Sequence, residues 1–266
     1  MASATTELTP QQQFSQNGFY LHTESVLSPD LLARSAQALT DVRNGIYQTG
    51  DAPLGRNWMP EDNPDMLAKI DNPQLSNRAL LEALVDSGLG DLAGEITGAQ
   101  WIQVWAVQGL YKPPTTGHTN NGNVGWHQDQ TYWDSIWEDG SELFTAWLAL
   151  SNVTDDSGPM QFVPGSHAWG SLDGNFFEQD QEALRSQIQV PAGAGWSELS
   201  VVLPAGGVSF HHRWLLHGSS QNASSSPRMS MAIHLRTDKS APLSRDHVLT
   251  KDLDEPEICP VIFSRS

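Results

Sequence analysis

From Trp101 to Thr237 the chain reads as short strand-like segments divided by turn signals, with no long helical stretch between them. The runs are "WIQVWAVQGLY" (101–111), "LFTAWLALSNV" (143–153), "VVLPAGGVSFHH" (201–212) and "RMSMAIHLRT" (228–237). They are rich in aromatic and β-branched residues, which suit a pleated, half-buried surface. Lys112-Pro113-Pro114, Asp139-Gly140, Asp156-Ser157-Gly158-Pro159, Pro164-Gly165 and Ala205-Gly206-Gly207 punctuate the region. Such a series folds as a sandwich or a jelly roll. In the last run Met229, Met231, Ile233 and Leu235 share one face, and Arg228, Ser230, Ala232 and His234 share the other. A barrel with an apolar back under helices and a polar interior has this division, although an ordinary half-exposed strand shows it too.

The helices are expected upstream. Ser28, Pro29 and Asp30 are a cap, a first-turn proline and an acid at the positive helix end. Leu32, Ala36, Leu39 and Arg43 continue one face. A second helix is expected after Asn72-Pro73, with Leu80, Leu81, Leu84 and Val85 as its stripe and Gly88 as its stop. A short helical piece follows at Leu89–Ile96. Residues 49–65, "TGDAPLGRNWMPEDNPD", form a polar loop that carries Trp58 and Met59 and reads either as a lid or as a surface excursion. The expectation is one mainly β domain over residues 1–266, with a jelly-roll core at about 100–237 and N-terminal helices packed on one sheet.

Charge narrows the partners. Fourteen Lys and Arg against 31 Asp and Glu give a formal net charge of −17. That argues against nucleic acid and against an anionic membrane surface. The single cysteine, Cys259, permits no disulfide within the chain and fits a reducing compartment. The first residues lack a basic start followed by an apolar core, and no apolar run reaches the ~20 residues of a membrane helix. A cytoplasmic protein acting on a small molecule, as a monomer or homodimer, is expected.

The chemistry centres on "WHQDQTYW" (126–133). His127 and Asp129 are two residues apart, and on a strand they would project to the same side. Such a pair is weak evidence alone. A third ligand from a distant strand is required, and His217 in "WLLHGSSQN" (214–222), at the end of an apolar run, is the best candidate among nine histidines. His211 and His212 lack the turn that follows His217 and an arginine at matching distance, so a pocket or packing role is expected for them. A His/Asp/His set binds ferrous iron on one octahedral face and leaves positions open for a bidentate co-substrate and dioxygen. Arg228, eleven residues on, offers a planar fork to the far carboxylate of a dicarboxylate.

Together "KPP" (112–114), "WHQDQTYW", "AWLAL" (146–150), "DSGPMQFVPGSH" (156–167) and "HGSSQNASSSPR" (217–228) resemble the phytanoyl-CoA dioxygenase family of iron(II)/2-oxoglutarate oxygenases. "NGFYLHTESVLSPDLL" (17–32) resembles the family's opening, so the likeness spans about residues 14–237. The resemblance implies a double-stranded β-helix, a cupin-like jelly roll. It implies Fe(II), 2-oxoglutarate and O2 as cofactor and co-substrates, with His127, Asp129 and His217 as the iron ligands. It places Arg228 and Ser219 on the distal 2-oxoglutarate carboxylate, with Gln108 and Trp147 beside the co-substrate. Tyr132, Trp133, Trp58 and Asn120 are candidates for the substrate wall, Tyr132 and Trp133 alternatively for a core cluster. Related halogenases leave the place of Asp129 to chloride, so hydroxylation of a small metabolite or natural-product intermediate is the default expectation, with desaturation, ring formation or endoperoxidation at the same iron centre left open. A 2-oxoglutarate-independent metal enzyme on a jelly roll, or a non-catalytic binding protein with a vestigial pocket, are the alternatives.

Overall fold

The computed structural model describes residues 8–115, 122–172 and 181–265. Its twelve strands form two sheets. The larger is eight-stranded and runs β1 (Phe19–His22), β9 (Val208–His212), β6 (Leu143–Ala149), β11 (Arg228–Thr237), β4 (Trp101–Lys112), β3 (Ala68–Asp71), β2 (Gly55–Arg56), with β12 (Val261–Ser264) also on β4. The smaller runs β5 (Val124–His127), β10 (His217–Ser219), β7 (Met160–Phe162), β8 (Leu199–Val201). Every pairing is antiparallel. The result is the jelly roll with flanking helices that the sequence led us to expect.

The alternation along the strands sets two environments. Phe144, Ala146 and Leu148 of β6, Val208 and Phe210 of β9, and Met231, Ile233 and Leu235 of β11 face one cluster. Helices α2 (Pro29–Arg43), α3 (Arg78–Val85) and α4 (Leu89–Thr97) cover that cluster with Leu31, Leu39, Leu80, Leu84 and Leu89. The opposite faces of the same strands turn toward the smaller sheet, where Trp147, Ala149 and Ala232 meet Met160, Phe162 and Val201.

On β4 the alternation breaks once. His234 pairs with Ala106 and Leu235 with Val104, which leaves Trp105 as an extra residue. The bulge re-aims the strand. Before it Ile102 and Val104 face the helices, after it Val107 does, and Trp105 and Ala106 join a separate cluster with Trp133 and Trp137.

Several details differ from the sequence reading. A helix precedes the one begun by Ser28: α1 (Pro10–Asn17) is fixed by a capping box between Thr9 and Gln12. The run 201–212 is two strands in different sheets, because Pro204 and the left-handed Gly206 turn the chain between them. The stripe of α3 is Ala79, Leu80, Ala83 and Leu84, whereas Val85 is exposed. The segment from Asp238, outside the expected jelly-roll core, packs into the fold. Leu253 and Cys259 are buried beside Trp105 and Trp137, and β12 extends the larger sheet. It docks because α4 presents glycine there: a Cβ on Gly90 would lie 1.9 Å from the Ile262 carbonyl oxygen, and one on Gly94 2.5 Å from the Phe263 ring. No helix among the described residues is long and apolar enough to cross a membrane.

Candidate active site

His127 ends β5 and His217 begins β10, and the two are direct partners across the antiparallel pair. Their ring centroids are 4.1 Å apart. Asp129 reaches them by a route the strand rationale does not describe. β5 stops at His127, and Asp129 is already in right-handed helical conformation ahead of the single turn α5 (Gln130–Trp133). Gln128 anchors this corner, donating to the Gly170 and Trp214 carbonyls and accepting from the Leu172 N–H. Asp129 Oδ1 then sits 3.7 Å from His127 Nε2 and 3.6 Å from His217 Nε2. The three donor atoms lie within 4.8 Å of one another, a set that could hold a metal ion.

The imidazoles are preset for that task. His127 Nδ1 lies 2.8 Å from the Gly125 carbonyl and His217 Nδ1 2.9 Å from the Leu215 carbonyl. Each Nδ1–H is used there, so each Nε2 keeps its lone pair for a metal. Burial, with His127 alongside, pushes the His217 pKa down to about 4, so the ring is neutral. Burial acts to raise the Asp129 pKa, but His217 and the hydrogen bond from His211 outweigh it and hold the carboxyl well below its usual range. A neutral pair and one carboxylate are the protonation states metal binding needs.

Asp129 Oδ2 is clamped separately. Thr145 Oγ1 donates to it at 2.8 Å and His211 Nε2 lies 3.2 Å away. Thr145 spends its proton on the carboxylate, so its oxygen accepts from His234 Nδ1 at 3.0 Å. His211 thus has a pocket role, and His234, which carries no motif of its own, is also part of the site. Thr145 and His234 were reachable only through strand parity: each shares the inward face of its strand with a residue named from the sequence, Trp147 on β6 and Arg228 on β11.

A cavity of about 420 Å³ opens over these groups. Gln108, Trp147, Ser219 and Arg228 all line it, as do Tyr132 and Trp133. Arg228 is 2 % exposed, its Nη1 donates to the Gly158 carbonyl at 2.6 Å, and its guanidinium lies 5.1 Å from the Trp147 ring centroid. Its Nε is buried without a partner, and burial brings its pKa down to about 9, which leaves it charged near neutrality. Gln108 donates to Asp71 at 2.9 Å. Lys69, which no sequence motif singles out, also lines the cavity, so the lining is cationic despite the acidic whole.

Two expectations do not land here. Trp58 is not at the cavity. Arg43 stacks on its ring at 3.6 Å and its indole N–H donates to the Asn63 carbonyl, so it pins the 49–65 loop to α2. None of residues 49–65, all of them described, lines the cavity, and Arg56 is committed to Tyr47 and the Arg43 carbonyl. Asn120 lies outside the described residues. Trp133 is both wall and core, packing on Trp105 and His234 while it lines the cavity.

A jelly roll whose sheets bring His-x-Asp and a distant histidine together, with a buried arginine across the same cavity, defines the class of iron(II)/2-oxoglutarate-dependent oxygenases. Residues 14–230 match the family model described as phytanoyl-CoA dioxygenase, and the chain belongs to that family. It is 23 % identical over 234 residues to a probable alpha-ketoglutarate-dependent hypophosphite dioxygenase of Stutzerimonas stutzeri, covering 84 % of this chain and 76 % of that one. It is 30 % identical over 145 residues to phytanoyl-CoA dioxygenase domain-containing protein 1 of Mus musculus, covering 48 % and 44 %. Among solved structures it resembles the alpha ketoglutarate dependent carbocyclase SnoK of nogalamycin biosynthesis, with TM-score 0.67, 19 % identity and 92 % and 90 % coverage. The epimerase SnoN from the same biosynthesis superimposes with TM-score 0.62, 18 % identity and 91 % and 87 % coverage. At these identities the structural likeness is one of fold.

Proposed function

We propose that this protein hydroxylates an unactivated C–H bond of a small metabolite or natural-product intermediate, consuming 2-oxoglutarate and O2 and releasing succinate and CO2. One observation carries the reading: the His127 and His217 Nε2 atoms and Asp129 Oδ1 converge on a single point of the cavity that Arg228 also lines. The donor set, two neutral imidazoles and a carboxylate on one face, fits ferrous iron. When iron and 2-oxoglutarate are bound there, the centre couples decarboxylation of the keto acid to insertion of one oxygen atom of O2 into the substrate C–H bond.

The chain's own residues do the positioning. His127, Asp129 and His217 hold the metal, and the Gly125, Leu215, Thr145 and His211 contacts keep their donor atoms aimed. Arg228 and Ser219 take the distal carboxylate of 2-oxoglutarate, a planar fork and a hydroxyl for an anion. Trp147 stacks beneath Arg228 and gives the carbon chain a flat wall, and Gln108 flanks it. Tyr132, Trp133 and Lys69 remain for the substrate end, where burial against aromatic surface keeps bulk water from the reacting bond. A cavity of about 420 Å³ shared with the co-substrate limits the substrate to a small molecule.

The test is a succinate-release screen with Fe(II), 2-oxoglutarate and O2 against amino acids, acyl-CoAs and secondary-metabolite scaffolds. The expected result is succinate formed in step with a product that carries one atom from ¹⁸O2, and loss of both in His217→Ala. A product without the label, as cyclisation or epimerisation would give, overturns hydroxylation but keeps the class. A metal-loaded protein that neither binds nor consumes 2-oxoglutarate sinks the reading altogether.

A further inference from the structure

Lys112 closes β4 and is 0 % exposed. Its Nζ donates to Ser219 Oγ at 2.7 Å and to the Ser220 carbonyl. It pairs in register with Arg228 on β11. No carboxylate lies within ion-pair distance of Lys112 or Arg228 among the described residues. Two adjacent buried cations without an anion destabilise a fold, and apolar side chains there would be more favourable. The arrangement makes sense if the missing negative charge arrives with a ligand.

Resting on the reading of the cavity as an iron and 2-oxoglutarate site, we propose that Lys112 is a positioning residue for the co-substrate. Held behind Ser219, it aims the serine hydroxyl and adds positive charge where the distal carboxylate lands.

The hydroxyl is aimed by elimination. With an anion bound nearby Lys112 is an ammonium, which only donates, so it occupies a lone pair of Ser219 Oγ and cannot accept the serine proton. That proton must point elsewhere, and Ser219 lines the cavity whereas Lys112 does not. Ser219 therefore faces the cavity as a donor, on the side lined by Arg228. The backbone of the turn has anchors besides the bond from Lys112 to the Ser220 carbonyl. Ser219 pairs with Met160 on β7, and Asn222 donates to the Lys112 and Ser226 carbonyls and accepts from Ser224. The left-handed Gly158 lies so close that a Cβ there would sit 2.5 Å from the Ser220 carbonyl oxygen. The turn therefore does not depend on the Lys112 ammonium alone, and its charge has an electrostatic task beside the structural one. Burial, and then the Arg228 charge, push its pKa well down, so an arriving carboxylate would favour its charged form.

The test compares two keto acids on the nickel(II)-loaded protein by calorimetric titration: 2-oxoglutarate, and 2-oxopentanoate, which has a methyl group in place of the distal carboxylate. Lys112→Met should weaken 2-oxoglutarate roughly 10- to 100-fold, the scale of a hydrogen bond to a charged group. It should leave 2-oxopentanoate affinity unchanged. Lys112→Gln keeps a donor to Ser219 without the charge and should fall between wild type and Lys112→Met. It also carries the test if the methionine variant does not fold. Equal weakening of both keto acids makes Lys112 merely structural and overturns the proposal, and so does no weakening of either. A wild-type protein that fails to bind 2-oxoglutarate removes the underlying reading with it. A wild type and variants that bind alike remove only the role of Lys112.

Discussion

Asp129 divides its two oxygens between two tasks. Oδ1 faces the His127 and His217 imidazoles, and Oδ2 accepts from Thr145 and His211. Partners of this kind orient a ligand and tune its basicity, and losing one typically costs about 10–100-fold in metal affinity. Thr145→Val keeps the shape and removes the donor, so it should weaken metal binding by about that factor with little change in thermal stability. Competition with a chelator of known affinity measures it, and unchanged binding would show that His211 alone suffices. The residues at the metal point were legible because their spacing is a local pattern: His-x-Asp, then His-Gly-Ser, then an arginine at fixed distance. Thr145, His234 and Lys69 were not, because each contributes through register between strands far apart in sequence. Trp58 misled because an aromatic residue in a polar loop looks the same from sequence whether it faces a ligand or, as here, an arginine of a neighbouring helix.

At the scale of elements, α4 and β12 depend on each other. Gly90 and Gly94 are one turn apart and leave room for the Ile262 carbonyl and the Phe263 ring. Gly90→Ala gains about 1 kcal/mol of helix propensity but forces a backbone contact apart. Overpacking of that kind costs about 1–3 kcal/mol, so the net expectation is a loss of stability in urea unfolding. Faster protease cleavage after Asp238 should accompany it. Full protection of the C-terminal segment in this variant would show that burial of Leu253 and Cys259 holds it alone. The strands themselves were readable from alternation, as β11 shows. The bulge at Trp105 was not, since one extra residue in a strand of twelve leaves the apolar pattern nearly intact. The attachment of the C-terminal segment was hidden for a related reason. A glycine in a helix reads as a weak helix former until the strand that fills its groove is seen.

Across the whole molecule, burial of neutral imidazoles sets the response to acid. His127, His211, His212, His217 and His234 all have pKa values lowered from 6.5 by burial, His212 to about 3 and His217 to about 4. A base with a depressed folded pKa is neutral in the fold while the unfolded chain takes up its proton. Its contribution is complete above pH 6.5 and is lost as pH falls toward the folded value. Each such ring costs roughly 1.4 kcal/mol of stability per pH unit inside that window. The metal-free protein should therefore lose thermal stability steeply between pH 6.5 and 4. His212 lies on the helix side, against Phe14 and His167, away from the proposed metal site. His212→Gln should make the slope shallower without altering metal binding, and an unchanged slope would assign the acid response to the other rings.

The way the larger sheet ends has a further consequence. At one margin stands β1, four residues long, and at the other β2, only two. The outer side of β4 is divided between β12 and β3, and between them Val104 N–H is taken by the Pro260 carbonyl and Val107 N–H by the Asn72 side chain. No long row of unpaired backbone groups remains along β4 for a foreign strand to add to. A larger sheet closed off in this way offers little to edge-to-edge pairing through its geometry, before the negative charge of the chain contributes anything.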